Sequence, residues 1–227
     1  MCFSMQADLV AGAVLAPLGV LSLAHVRRAR EVPLAALPLL FAAHQLVESL
    51  VWAGFDGDVS ATTAERAAWA YAIFALPVLP LLVPLAILLV VDRLHRRRVA
   101  PFVALGAAVS VVMARQLIDT GLTVSQHPHA IGYYVGFGVD DWLWTSLYVV
   151  ACMGVCLVSG ERLLQAFGIV NLVGLSVVAY AYAQAFASLW CVYAACSSVL
   201  LLAFMVQRSH RHADAASGGL PERIPQA

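Results

Sequence analysis

Seven long apolar stretches restrict the fold more than any other feature of this chain. Charged residues and prolines separate them, and they lie at roughly 8–26, 33–54, 67–91, 99–118, 141–159, 163–183 and 185–207. A helix needs about 20 apolar residues to cross about 30 Å of hydrocarbon, and each stretch is near that length. Hydrophobic residues make up 62% of the sequence, whereas a soluble domain has about 45–50%. The sequence therefore predicts an all-α polytopic membrane protein, a seven-transmembrane-helix bundle in the cell membrane.

The arginines predict how this bundle is oriented. In a seven-span protein most of the 13 basic residues would lie on one side, namely Arg27, Arg28, Arg30, Arg93, Arg96, Arg97, Arg98, Arg162, Arg208, Arg211 and Arg223. Basic residues are enriched on the cytoplasmic side of membrane proteins, so we expect the N-terminus outside and the C-terminus in the cytoplasm. Residues 1–207 then form the transmembrane domain. The polar residues 208–227 are predicted to be a disordered cytoplasmic tail.

Composition also excludes two classes of function. The chain has no lysine, and a retinal protein of the rhodopsin type needs a lysine to form its Schiff base. The runs of arginine are short and are explained by the topology, so we expect no nucleic-acid partner. The expected partners are the lipid bilayer and a small apolar molecule.

The segment Phe41–Trp52, FAAHQLVESLVW, has the most unusual polar content. His44 and Glu48 are four residues apart in the second apolar stretch, so they share one face of a helix. Ionisable groups at membrane depth are costly and usually mark a site or a pathway. A structural pairing across a helix interface would also explain them. Both alternatives remain open at this point.

Further polar side chains are predicted to gather around this pair, in the outer half of the bundle. Cys2, the loop residue His129 and Cys191 at the start of the seventh stretch all fall on the outer side. His44, Glu48 and His129, together with either Cys2 or Cys191, would supply nitrogen, oxygen and sulfur donors, a set that suits zinc or another transition metal. The predicted substrate contacts are Arg115, Asn171, Tyr182 and Trp190.

Several of these residues also have simpler explanations. A disulfide between Cys2 and Cys191 would be favoured by an oxidising exterior. Trp190 lies where an aromatic belt is expected at the membrane interface. Arg115 and Asp119 are one helical turn apart and would form an interfacial ion pair.

Five sequence motifs together resemble a known family. They are the opening MCFS followed by AD, FAAHQLVESLVW, HAIGYY in the outer loop, FGIVNLVG in the sixth stretch and SLWCVYAACSS in the seventh. They are similar to an uncharacterised family of small bacterial seven-span membrane proteins that open with Met-Cys-Phe-Ser. The resemblance covers nearly the whole chain and implies a membrane location. Its motif positions are Cys2, His44, Glu48, His129, Asn171, Trp190 and Cys191.

Three classes of function agree with these observations. The first is a metal-dependent membrane hydrolase or oxidoreductase, in which His44 binds the metal and Glu48 acts as a ligand or a base. The second is a binder or transporter of a small molecule or lipid, in which the pair couples to protons and the proline-rich third stretch moves. The third is a membrane sensor or accessory subunit, in which the polar cluster is structural.

Overall fold

The computed structural model describes residues 4–127, 130–136, 141–181 and 186–217; the side chains at 141–142, 178–181, 186–196 and 215–217 lie outside this description. In this part of the chain there are seven helices and one hairpin of two short strands. They are α1 (Met5–Ala24), α2 (Val32–Asp56), α3 (Ala61–Val90), α4 (Arg93–Thr120), β1 (Leu122–His127), β2 (Ala130–Val135), α5 (141–157), α6 (Arg162–Ala181) and α7 (Phe186–Ser217).

Each predicted apolar stretch coincides with one helix, so the helical architecture is confirmed. The four helices α1 to α4 are long and apolar enough to cross a membrane, by length and composition. Shorter apolar helical segments, Leu143–Leu157 and Arg162–Val177, lie in α5 and α6. That all seven helices cross the bilayer remains a prediction.

Short polar residues and glycines set the ends of the first helices. The Ser4 hydroxyl oxygen accepts a hydrogen bond from the backbone N–H of Ala7, and that of Ser60 accepts one from Thr63. Each serine thereby satisfies a donor that the first helical turn leaves free. Helix α2 ends at Gly57, which has a φ of 81°, a conformation that favours glycine.

Helix α1 packs closely on α2 through small side chains. Gly12 and Gly19 are buried on the face that meets α2. A Cβ at Gly19 would lie 2.6 Å from Cα of Leu39, and one at Gly12 would lie 2.7 Å from the side chain of Leu46. Small residues of this kind allow two helix backbones to approach inside a membrane. Helix α7 contacts both α1 and α2, so the first two helices and the last pack together.

Helix α3 contains a π-helical turn at Phe74–Val78, where its prolines interrupt the regular hydrogen bonds. In this turn the N–H of Leu79 bonds to the carbonyl of Phe74. The next residue, Pro80, has no N–H to offer Ala75. The Tyr148 hydroxyl of α5 donates to the Ala75 carbonyl instead, at 2.6 Å. The Ala75 carbonyl, which lacks a partner within its own helix, thus receives a hydrogen bond from a neighbouring helix. Inside a membrane such a carbonyl would need a protein partner of this kind.

A two-stranded antiparallel hairpin stands where the all-α prediction had only a loop. Leu122 of β1 pairs with Val135 of β2 at one end of the hairpin, and His127 pairs with Ala130 at the turn. The inward side chain Ile131 is buried against Val51 and Ala67 of α2 and α3. The hairpin therefore covers the ends of these two helices.

The start of the predicted tail is helical and packed. Helix α7 continues to Ser217, ten residues beyond Gln207. Arg208 and His212 both contact the buried carboxylate of Glu31, at 2.8 and 3.0 Å. This corrects the tail prediction for residues 208–217, because these contacts hold that segment against the α1–α2 connection. Residues 218–227 lie outside the described part of the chain.

Candidate functional site

His44 lies inside the bundle on the face of α2 that meets α3. Its side chain is buried, with a 4% exposed fraction. The imidazole stacks on the Tyr71 ring, with centroids 3.9 Å apart and planes 19° apart, and it also contacts Phe74 at 4.9 Å. Among the residues that the structure describes, nothing forms a hydrogen bond with its buried Nε2 atom. A buried imidazole nitrogen without a partner is costly, and it marks a position where a ligand would be stabilised.

The aromatic stack continues from α3 into the hairpin. Tyr71 is fully buried, and its other neighbour is Tyr133 of β2, with ring centroids 4.1 Å apart and planes 10° apart. Three nearly parallel rings therefore connect His44 to the hairpin. This arrangement fixes the orientation of the imidazole and closes the site on the hairpin side.

Glu48 and Trp52 follow His44 along one ridge of α2. Glu48 is fully buried one turn after His44, and Trp52 follows after one more turn with a 4% exposed fraction. Residues four apart lie above one another on a helix, so all three side chains share a face. The indole Nε1 of Trp52 is buried and bonds to none of the described residues. Trp52 was not among the site residues predicted from the sequence.

Asp8 of α1 is fully buried, as are Glu31 and Glu48. In the sequence, Asp8 was noted only as part of the family motif, as the aspartate of the AD that follows MCFS. The signal that could have identified it is an acidic residue in a helix that is otherwise apolar and long enough to cross a membrane. Asp8 shares the α2-facing stripe of α1 with Gly12, one turn away.

Asn171 lies in α6 and makes contacts within the protein. Its side-chain amide nitrogen donates to the Phe167 carbonyl at 2.8 Å and to the Ser197 hydroxyl of α7 at 2.6 Å. Its Oδ1 atom is buried without a partner among the described residues. Asn171 therefore joins α6 to α7, and its predicted contact with a substrate is untested.

The structure describes the other predicted site residues to different extents. Arg115 is exposed on α4 and forms no ion pair among the described residues. Trp190 and Cys191 lie in α7, but their side chains are outside the description. Cys2, His129 and Tyr182 lie outside the described residues altogether.

The described part of the chain holds only some of the predicted metal donors. No group of three His, Cys, Asp or Glu side chains there could hold a metal ion together. A complete centre at His44 would thus need donors from the remaining residues. Chemically, the described part offers an imidazole nitrogen free of hydrogen bonds and a carboxylate one turn away, both shielded from water. Such a pair can bind a cation or exchange a proton.

A comparison with protein families matches the chain over residues 1–217, nearly its whole length, to the one described as "Family of unknown function (DUF6629)". The predicted membership of an uncharacterised family is thereby confirmed. A search of curated proteins found no match, and neither did a search of solved structures. The chain belongs to the DUF6629 family of unknown function.

Proposed function

We propose that the protein is a seven-span protein of the cell membrane with a transition-metal site, such as a zinc site, in its outer half. His44 and Glu48 bind the metal, and His129 and Cys191 supply the remaining donors, with Cys2 as the alternative to Cys191 for the sulfur ligand. The site opens to the outside, and it serves a metal-dependent hydrolase or oxidoreductase that acts on a small apolar molecule. Asn171, Tyr182 and Trp190 contact the substrate, and Arg115 meets it at the outer mouth.

The buried Nε2 atom of His44 is the observation that carries this proposal. The stack on Tyr71 holds the imidazole in place, and no described residue uses the nitrogen. Glu48 on the same ridge supplies an anionic oxygen. Imidazole and carboxylate ligands are the usual partners of zinc, and an open coordination position would activate water or polarise a substrate.

The helix register supports Cys191 as a sulfur donor. Helices α2 and α7 pack together and run in opposite directions, and the bond between Glu31 and Arg208 aligns them at one end. Glu48 follows Glu31 by 17 positions, and Cys191 precedes Arg208 by the same number. At 1.5 Å per residue, both backbone positions lie about 25 Å from that bond. The two residues are therefore at the same height on neighbouring helices.

Elemental analysis of the purified protein tests the proposal. We expect one transition-metal ion per chain in the parent and less than about a tenth of that in His44→Phe, which keeps an aromatic ring against Tyr71. His127→Ala is the matched control, because His127 bonds to Tyr134 and Ser125 on the hairpin. It should retain the metal. A parent without stoichiometric metal would remove the proposal.

Reporter fusions test the proposed orientation separately. A fluorescent protein fused to the C-terminal end should be fluorescent, because that end is in the cytoplasm. Alkaline phosphatase fused at the same end should be inactive. The opposite pattern would place the arginine-rich end outside and contradict the topology.

A second candidate function is a proton-coupled binder or transporter, and the two π-helical turns favour it. Phe74, in the π-turn of α3, contacts His44, and α5 has a π-turn of its own at Val150–Gly154. The Tyr148 hydroxyl joins the two helices at the Ala75 carbonyl. Helices with such turns can change shape with little loss of hydrogen bonding.

Proteoliposomes discriminate between the two candidates. Uptake of a small lipophilic cation that rises with an imposed pH gradient and is abolished by Glu48→Gln would support transport. Bound metal together with an absence of gradient-driven uptake would support the metal site.

A further inference from the structure

Six arginines at one end of the bundle have no acidic partner in the part of the chain that the structure describes. They form what we call the arginine surface, which consists of Arg28, Arg30, Arg93, Arg96, Arg97 and Arg98. None of them forms an ion pair among the described residues. Two acidic residues at this end of the bundle bind other partners, since Glu31 binds Arg208 and His212, and Glu161 binds Arg211. Asp92 precedes Arg93 in sequence, and it forms no ion pair among the described residues.

The fold brings the two groups of arginines to the same place. The short turn Ala29–Glu31 packs against the last part of α3, Leu79–Val90. Helix α4 begins at Arg93, three residues after α3 ends. The arginines of the turn and those of the first turns of α4 therefore lie side by side at the end of the bundle.

Two of these side chains are partly buried with an unused donor. The Nε atoms of Arg30 and Arg96 are inaccessible to water and have no hydrogen-bond partner among the described residues. A guanidinium group is planar and presents several N–H donors in a fixed fork, which matches the oxygens of a phosphate. A phosphate group bound by the exposed guanidinium groups of Arg28, Arg93, Arg97 and Arg98 would balance the positive charge of this surface.

The surface also carries an exposed apolar side chain. Leu94 lies between Arg93 and Arg96 in sequence and has a 74% exposed fraction. It lies in the first turn of α4, a helix that is long and apolar enough to cross a membrane. An apolar side chain beside unpaired arginines suits the boundary between headgroups and acyl chains, where its burial is favourable.

We propose that the arginine surface binds the headgroups of anionic phospholipids. Each guanidinium group contacts a phosphate, and Leu94 enters the acyl region below it. This inference does not depend on the proposed metal site.

Lipid titration of the full-length protein in detergent, followed by native mass spectrometry, tests this inference. The probes are short-chain phosphatidylglycerol and phosphatidylcholine. The test variant is the triple substitution Arg96→Gln, Arg97→Gln and Arg98→Gln. Arg66→Gln is the matched control, because Arg66 is exposed near the start of α3, at the other end of that helix.

We expect the parent to bind phosphatidylglycerol at least tenfold more tightly than phosphatidylcholine. Because each basic residue near an anionic lipid contributes about fivefold in affinity, the triple variant should lose on the order of a hundredfold. Arg66→Gln should change the affinity by less than about twofold, and excess inorganic phosphate should not displace the lipid. Equal affinity for both lipids, an unchanged triple variant, an equal loss in Arg66→Gln or displacement by phosphate would each overturn the proposal.

Discussion

The Glu31 carboxylate accepts a hydrogen bond of 2.8 Å from Nε of Arg208, and this bond joins the α1–α2 connection to the end of α7. The other carboxylate oxygen accepts from the backbone N–H groups of Arg27 and Arg28, at 2.9 and 3.1 Å. His212 also contacts the carboxylate. The buried charge is therefore surrounded by donors, and residues 177 positions apart are held together.

Removal of Arg208 should strongly destabilise the protein. Arg208→Leu leaves the buried Glu31 carboxylate without its closest positive charge, which typically costs about 3–5 kcal/mol. The double variant Glu31→Leu with Arg208→Leu should recover much of this loss, because no buried charge then remains. The free energy of unfolding in mixed micelles measures both effects.

The exposed pair between Arg211 and Glu161 supplies the control for this experiment. The Arg211 side chain is 52% exposed, so Arg211→Leu should cost less than about 1 kcal/mol. Equal losses for Arg208→Leu and Arg211→Leu would contradict the role assigned to Glu31.

Loss of the Tyr148 hydroxyl should weaken the contact between α3 and α5. In Tyr148→Phe the Ala75 carbonyl keeps its apolar surroundings but loses its donor, which we expect to cost about 1–3 kcal/mol. Tyr134→Phe removes a hydroxyl from the exposed side of the hairpin and should change stability by less than about 0.5 kcal/mol. Thermal unfolding of Tyr148→Phe and Tyr134→Phe measures these two losses of stability. A harmless Tyr148→Phe would show that the π-turn does not need this bond.

A side chain at Gly106 should disrupt the packing of α3 against α4. A Cβ there would overlap the carbonyl oxygen of Pro80, which belongs to the backbone and cannot rotate away. We therefore expect Gly106→Val to cost at least about 1–3 kcal/mol. Ala108→Val, at an exposed position of the same helix, controls for the effect of valine on the helix itself. If both variants unfold at the same temperature, the close contact at Pro80 is not formed in the membrane.

The helices could be predicted from the sequence because their signal is local. Each apolar stretch is long, and glycine, proline or charged residues stand at its ends, so composition alone indicates a helix. The hairpin could not be predicted in this way. Its second strand is only six residues long, and alanine, glycine and tyrosine alternate with the inward residues Ile131 and Tyr133, so no clear polar–apolar pattern marks it. The burial of these inward residues depends on contacts with α2 and α3.

The candidate site was only partly predictable for the same reason. His44 and Glu48 were evident because charged groups are rare in an apolar stretch, whereas the stack with Tyr71 and Tyr133 depends on three separate elements. The role of Glu31 was hidden because it stands among arginines in a connection that resembles a solvated loop. Its carboxylate is buried in contact with Arg208, a residue that is distant in sequence.

X-ray absorption at the edge of the bound metal tests the central claim most directly, because it reports the atoms that surround the ion. We predict nitrogen and oxygen neighbours at about 2.0–2.2 Å and a sulfur neighbour at about 2.3 Å. His44→Phe should remove the imidazole contribution, and Cys191→Ser should remove the sulfur. A metal-free parent, or a coordination shell that neither substitution changes, would contradict the proposed centre.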